Sequence, residues 1–321
     1  MKKGIAAFCA LFIVLSVFSG CGGNKTDSAV SSSVSQSTAS TAQEGTRIVS
    51  TVMGDIEVPV NPQRVVANWY VGEVIALNLN LVGYSAWSQE TMPFYNELEA
   101  GVKLENWEPE DVMALEPDLI VTYSQEDFEK FNKVAPVLVV PEAGISSLER
   151  VQIIGDATGR SEEAKAVVDV FEAKLAAAKD VFKDDAFAGK TFSIMEDWGA
   201  SGEWSGVAYE SDSRGGTLVY TYLGLQQPQQ LLDLIAETGD GRGTLSYEVA
   251  HEYFGDYILW FRQEGKESEY SKTDIWNSIP AVAEGRVVEI PGEYQGLFFY
   301  SDVLSLTAQL DYMVEAINSL A

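Results

Sequence analysis

The chain has 321 residues, 48 acidic side chains against 21 Lys and Arg, and a formal net charge of −27, with 46% apolar and 11% aromatic residues. That length and apolar content suffice for one large or two ordinary α/β domains, and the charge excludes a nucleic-acid binder, which needs a basic face. Two cysteines, Cys9 and Cys21, and a single histidine, His251, rule out a disulfide framework and a His-rich metal site, and any Ser-His or Cys-His centre would have to use that one imidazole.

The chain opens with Lys2-Lys3 and an uncharged apolar run over residues 4–19, sixteen residues long. A membrane-spanning helix needs roughly 20, so the run reads as an export signal. It ends in Phe18-Ser19-Gly20-Cys21, which resembles a bacterial lipoprotein signal, although Phe18 stands where that motif usually has Leu. The resemblance implies cleavage after residue 20 and a lipid on Cys21; loss of Lys2 and Lys3 would take the formal charge to −29. Ser28–Ala42 follows, with nine Ser or Thr among fifteen residues, and cannot bury enough apolar surface to offset its ordering entropy. Residues 21–45 are thus expected to tether a domain to the outer face of the cell membrane.

Residues 47–60 alternate apolar and polar around Gly54-Asp55, as a β-hairpin does. Strands are expected at Val65-Val66, 81–84, Asp118–Tyr123 and Val137–Val140, and helices at Gly72–Leu79, Pro109–Leu115 and Glu126–Lys133. Short apolar strands alternating with helices signify a largely parallel sheet covered on both faces. Beyond Gly159, Ser161 reads as an N-cap, and Ala164, Val167, Val168, Phe171, Leu175, Ala178 and Phe182 recur every three or four residues. They predict one amphipathic helix of about 22–25 residues, roughly 35 Å long. The α/β alternation then restarts with strands at Thr191–Met195, Tyr257–Phe261 and Arg286–Ile290 and helices at Gly215–Leu223, Tyr247–Phe254 and Ser301–Leu320. The expected organisation is a signal peptide over 1–20, the tether, an N-terminal lobe over 46–158, a connecting helix over 159–185 and a C-terminal lobe over 186–321.

An ordered series of short motifs carries a resemblance over residues 46–320. Pro62-Gln63-Arg64-Val65-Val66, Leu81-Val82-Gly83, the run from Pro109 to Ile120, and Val134-Ala135-Pro136-Val137 come first. Arg214-Gly215-Gly216-Thr217-Leu218, Asp256-Tyr257-Ile258, Trp276–Val282 and Tyr300–Leu306 follow. The series resembles ABC-transporter binding proteins for ferric siderophores and cobalamin, above all their hydroxamate branch. The resemblance implies two α/β lobes joined by one long rigid helix, a ligand cleft between them, no catalysis, and no cofactor, the iron entering only within its chelator. It also implies a monomer that delivers the ferric siderophore to an ABC permease.

A ferric siderophore is a bulky chelate with an apolar rim and exposed oxygens, so aromatic walls with a few donors suit it. Loops expected at the cleft supply Trp69, Tyr70, Trp87, Trp107 and Tyr123 from the first lobe, and Trp198, Trp204, Tyr209, Tyr294 and Tyr300 from the second. About half of these are expected to line it, the rest packing between helices. Arg214 lies at the start of a predicted helix, where the dipole disfavours a cation, and matches an Arg that faces ligand in the family; a surface pair with Asp212 is the bland alternative. The family presents one Glu from each lobe to Arg residues of the permease, at positions matching Glu110 and Glu248. Both are expected in first helical turns, where capping alone would explain an acid.

His251-Glu252-Tyr253-Phe254-Gly255 begins like a zinc-protease helix but has Gly in place of the second His. The different-class alternative, an extracellular hydrolase, lacks a nucleophile beside that lone imidazole. A cobalamin or haem carrier of the same fold is the nearer alternative.

Overall fold

The computed structural model describes residues 45–202 and 205–320. The expected signal peptide, Cys21, the tether and Trp204 lie outside the described residues. Strands β1 (Thr46–Thr51) and β2 (Gly54–Pro59) form the expected antiparallel hairpin, turning over Val52-Met53 into Gly54, whose φ of 96° suits a residue without Cβ.

The N-terminal lobe follows as β3 (Val65–Asn68), α1 (Val71–Ala76), β4 (Leu81–Ser85), α2 (Tyr95–Leu98), β5 (Val102–Lys103), α3 (Pro109–Met113), β6 (Leu119–Thr122), α4 (Gln125–Phe131), β7 (Val137–Val139) and α5 (Ser147–Thr158). Its sheet is wholly parallel in the order β5-β4-β3-β6-β7. Continuous apolar runs such as Val65-Val66-Ala67 and Leu119-Ile120-Val121 are buried on both faces, as such a sheet requires. From β3 the chain proceeds to β4 and β5 on one side and to β6 and β7 on the other. The C-terminal end of β3 is therefore a topological switch point, where open α/β sheets bind ligands.

Helix α5 starts in a capping box between Ser146 and Glu149 and stops at Gly159, which takes the left-handed conformation. Helix α6 (Ser161–Val181) follows as the expected long connection, 21 residues and roughly 31 Å at 1.5 Å per residue. Its N-cap is Arg160 rather than Ser161, whose hydroxyl donates to Asp156 Oδ1 instead.

The second lobe comprises β8 (Phe192–Asp197), β9 (Val207–Glu210), a π-helical segment (Thr217–Tyr222), α7 (Gln229–Thr238), β10 (Arg242–Leu245), a 3-10 turn (Ala250–Tyr253), β11 (Tyr257–Phe261), α8 (Asp274–Ser278), α9 (Pro280–Ala283), β12 (Val287–Ile290) and α10 (Val303–Asn318). Its sheet, in the order β10-β9-β8-β11-β12, is mixed: β11 lies parallel to β8 and β12, whereas β9 runs antiparallel to β8 and β10. Residues 198–206 are too short a connection for a parallel crossover, which takes a dozen residues or more.

Two helical expectations are corrected here. Between Gly215 and Leu223 the turns widen, with Thr217 N–H donating to Asp212 O and Leu223 N–H to Leu218 O, each five residues back. The Tyr247–Phe254 segment forms a turn and a single 3-10 turn rather than an α-helix.

One buried apolar cluster runs through both lobes, from Val65 and Val74 through Phe171 and Ala178 of α6 to Ile194, Leu259 and Leu306. Separate clusters cover the outer faces of the two sheets. Helix α10 packs on α6, α1 and α5, so α6 is not the sole connection between the lobes.

Candidate functional site

A pocket of about 240 Å³ opens between the lobes. The N-terminal lobe lines it with Trp69, Tyr70 and Glu73 from the end of β3 and the start of α1, with Glu142 beyond β7, and with Arg150 of α5. The other lobe contributes residues around Asp212–Thr217 and Phe298–Asp302.

The walls are aromatic. Trp69 follows β3 with φ of 71°, a left-handed backbone that costs a bulky residue on the order of 1–2 kcal/mol. Its indole meets the rings of Tyr300 at 5.0 Å, Phe299 at 5.7 Å and Tyr123 at 6.5 Å. Phe299 packs in turn on Trp87, its ring tilted by 37° at 4.3 Å, and the Tyr300 hydroxyl donates to the Trp87 carbonyl at 3.0 Å. The wall is thus joined across the lobe junction. Loop 86–94 adds a second tie there: Thr91 Oγ1 donates to Glu293 O at 2.6 Å, and the Gly296 amide donates to Gln89 Oε1.

The floor is ionic. Arg150 Nε donates to Glu73 Oε1, with both side chains less than a tenth exposed, and the guanidinium sits 4.9 Å from the Tyr70 ring centroid. Asp302 caps α10, its Oδ1 accepting from the amides of Leu304 and Ser305 at 2.9 and 3.0 Å and its Oδ2 from the Ser305 hydroxyl at 2.6 Å. Burial pushes the carboxyls of both Glu73 and Asp302 above their ordinary range, and the charge of Arg150 works against that rise. A Cβ at Gly72 would fall 2.2 Å from Asp302 Cγ, so only glycine lets α1 pass under this carboxylate. The Nη groups of Arg150 make no hydrogen bond among the described residues, and Arg150 lines the pocket. A guanidinium with free donors beneath aromatic walls can hold the oxygens of a ligand whose body packs on the rings.

Of the residues anticipated for the cleft, Trp69, Tyr70 and Tyr300 line this pocket, while Trp87 and Tyr123 back the wall. Trp107 is a correction: its Nε1 donates to Asp127 Oδ1 at 2.8 Å and its ring packs on Phe131 at 4.7 Å, outside the N-terminal sheet. Tyr209 is another, buried on β9 in the outer cluster of the second lobe. Trp198 lies under the Arg242 guanidinium at 5.1 Å, and Tyr294 packs on Tyr312 of α10 at 5.2 Å; neither lines the pocket.

Arg214 has a left-handed backbone, φ 52°, and turns its Nε to Glu196 Oε2 at 3.2 Å, a carboxylate only 2% exposed. Its neighbours Ser213 and Gly215 line the pocket but Arg214 itself does not; its Nε pairs with Glu196 rather than Asp212, and its Nη groups, like those of Arg150, make no hydrogen bond among the described residues. Glu110 is exposed in the first turn of α3, as expected. Glu248 is exposed too, in the turn ahead of the 3-10 segment rather than in a helix.

Sequence reading missed Glu73, Arg150, Asp302 and Phe299 as site residues. A signal existed for the first two: a lone acid within Val71-Gly-Glu-Val-Ile-Ala76, and a lone Arg among the apolar positions Leu148, Val151 and Ile154. Opposite charges on two apolar faces read as a buried pair.

Two α/β lobes about a pocket at a sheet switch point define a solute-binding protein, and residues 71–294 match the family model described as periplasmic binding protein. The chain belongs to that family. It is 30% identical over 324 residues to the iron(3+)-hydroxamate-binding protein YxeB of Bacillus subtilis, covering 98% of this chain and 97% of that one. Among solved structures, the FhuD fold-family component of a ferrichrome ABC transporter from B. subtilis superposes with a TM-score of 0.69 at 27% identity, over 83% of this chain and 98% of that one. FhuD2 of Staphylococcus aureus with bound ferrioxamine B shares the fold at a TM-score of 0.67 and 24% identity, over 81% and 99% of the two chains. Among the described residues no helix is long and apolar enough to cross a membrane.

Proposed function

We propose that this chain is the extracellular solute-binding component of an ABC importer and carries a ferric hydroxamate siderophore in the pocket between its lobes. The observation that carries the reading is Arg150: a buried guanidinium whose Nη donors are free, beneath the walls of Trp69, Phe299 and Tyr300. Hydroxamate oxygens accept from such donors, and the organic shell of the chelate packs on the rings. The iron stays inside its chelator, and the protein performs no chemistry on it. The kinship with an iron(3+)-hydroxamate-binding protein and with a ferrichrome transporter component supports the same reading.

In this reading a lipid on Cys21 holds the domain at the outer face of the cell membrane as a monomer, and Glu110 and Glu248 meet basic residues of the permease. The deciding experiment is a titration of intrinsic tryptophan fluorescence with a ferric trihydroxamate, a ferric tricatecholate, haem and cobalamin. Saturable quenching by the hydroxamate at submicromolar concentration is expected. Tighter binding of any of the other three would refute the assignment.

A further inference from the structure

The charge of the pocket carries an inference about which hydroxamates it accepts, resting on the reading just given. Four carboxyl groups and one guanidinium line the cavity. On the floor, Glu73 pairs with Arg150, whose charge also acts on Asp302, and Asp302 is further satisfied by the first turn of α10. The other two carboxylates differ. Glu142 reaches the pocket from the first lobe and Asp212 from the second, both are exposed, and neither forms an ion pair among the described residues. Even with one floor carboxyl protonated, the lining keeps two net negative charges, and the two exposed carboxylates at the mouth have no ion-pair partner among the described residues.

We infer that the pocket selects a cationic ferric hydroxamate, one whose iron centre is neutral and whose chain bears an ammonium group, over neutral or anionic chelates of the same size. The chelate core occupies the aromatic walls over Arg150, and the ammonium comes to rest between Glu142 and Asp212. Aromatic faces beside the mouth add to the preference for positive charge, because their quadrupoles attract cations. The strongly acidic surface of the whole chain acts in the same direction at longer range and raises the encounter rate of a cation.

The test uses one linear ferric trihydroxamate in three forms that differ only at the terminal amine: free ammonium, N-acetylated and N-succinylated, carrying net charges of plus one, zero and minus one. Fluorescence quenching at low salt is expected to rank them in that order, with about tenfold in affinity between successive members. Raising the ionic strength should compress the ladder, since the mouth is exposed. In E142Q/D212N the ratio between the cationic and acetylated forms should fall to within about twofold. Equal binding of the three forms by the natural chain, or an unchanged ratio in the double variant, overturns the charge inference while leaving the hydroxamate reading intact. Quenching by none of the three refutes the hydroxamate reading, and the charge inference falls with it.

Discussion

Replacing Arg150 by Met should cost the protein about 3–5 kcal/mol, the range for breaking a buried ion pair by removing one partner. Both members are buried, and removing the guanidinium strands Glu73 and deprives Asp302 of its nearby cation. For a domain of this size the loss corresponds to a fall in melting temperature of roughly 10 °C. The deficit should depend on pH with a defined sign. Burial raises the folded-state pKa of Glu73 above 4.5 and of Asp302 above 3.8, so each proton is held more tightly in the native state. The stability this contributes is fully present below those values and disappears as pH rises through the elevated ones. Without Arg150 both native pKa values climb further, so the variant should approach the natural chain near pH 4 and fall behind toward neutrality. R150M/E73Q, which removes the stranded carboxylate, should recover about half of the loss. Urea unfolding followed by circular dichroism at pH 4 and pH 7 measures all of this. An Arg150→Met protein within about 1 kcal/mol of the natural chain at pH 7, or a double variant less stable than the single, would show that the pair does not hold the floor together.

Gly72→Ala should destabilise by about 1–3 kcal/mol, because its Cβ collides with an Asp302 carboxylate that three hydrogen bonds hold in place; a melting curve unchanged within 1 °C would refute the close approach. Arg214→Ala should lower stability by a few kcal/mol through stranded Glu196 while changing hydroxamate affinity less than threefold, and a large affinity loss in a protein of normal stability would restore the role expected from sequence. Glu110→Ala with Glu248→Ala should leave affinity unaltered and abolish most cellular uptake, measured with a radioiron-labelled siderophore; normal uptake removes both from the docking surface. Cys21→Ala should release the protein from the membrane fraction, and retention there would argue against lipidation.

Periodicity made the framework legible: every strand expected between residues 47 and 290 appears, and α6 falls where the three-and-four spacing placed it. Period and propensity are local, and the errors came where local signals compete with distant ones. The Thr217–Tyr222 turns widen because Gly216 must lie against Ser211 O, where even a Cβ would sit at 2.1 Å, and no helix template contains that neighbour. Antiparallel β9 escaped notice because its connection to β8 is a Trp- and Gly-rich stretch that resembles a ligand loop. Aromatic content alone did not separate walls from core: Trp69 and Trp107 both lie in connecting segments, yet one follows β3 into the pocket and the other hydrogen-bonds Asp127 behind the sheet. Arg150 and Glu73 stand 77 residues apart, and only the packing of α5 against α1 makes them neighbours.

The position of the ionic floor has a mechanical consequence. Asp302 caps the helix that returns from the second lobe, roofs Gly72 of the first, and lines the pocket, so the groups that would meet a ligand also hold the lobes in register. The apolar cluster runs unbroken through both lobes, and α10 packs on α1, α5 and α6. Lobe opening about α6 would have to separate these surfaces at a cost proportional to the apolar area exposed, about 25 cal/mol per Å². Exposing even 200 Å² would cost on the order of 5 kcal/mol, as much as the whole binding free energy of a ligand with submillimolar affinity. Ligand entry is therefore cheaper through local displacement of loop 86–94, whose ties to the second lobe are the hydrogen bonds of Trp87, Gln89 and Thr91 and the packing of Trp87 on Phe299, than through rotation of one lobe against the other.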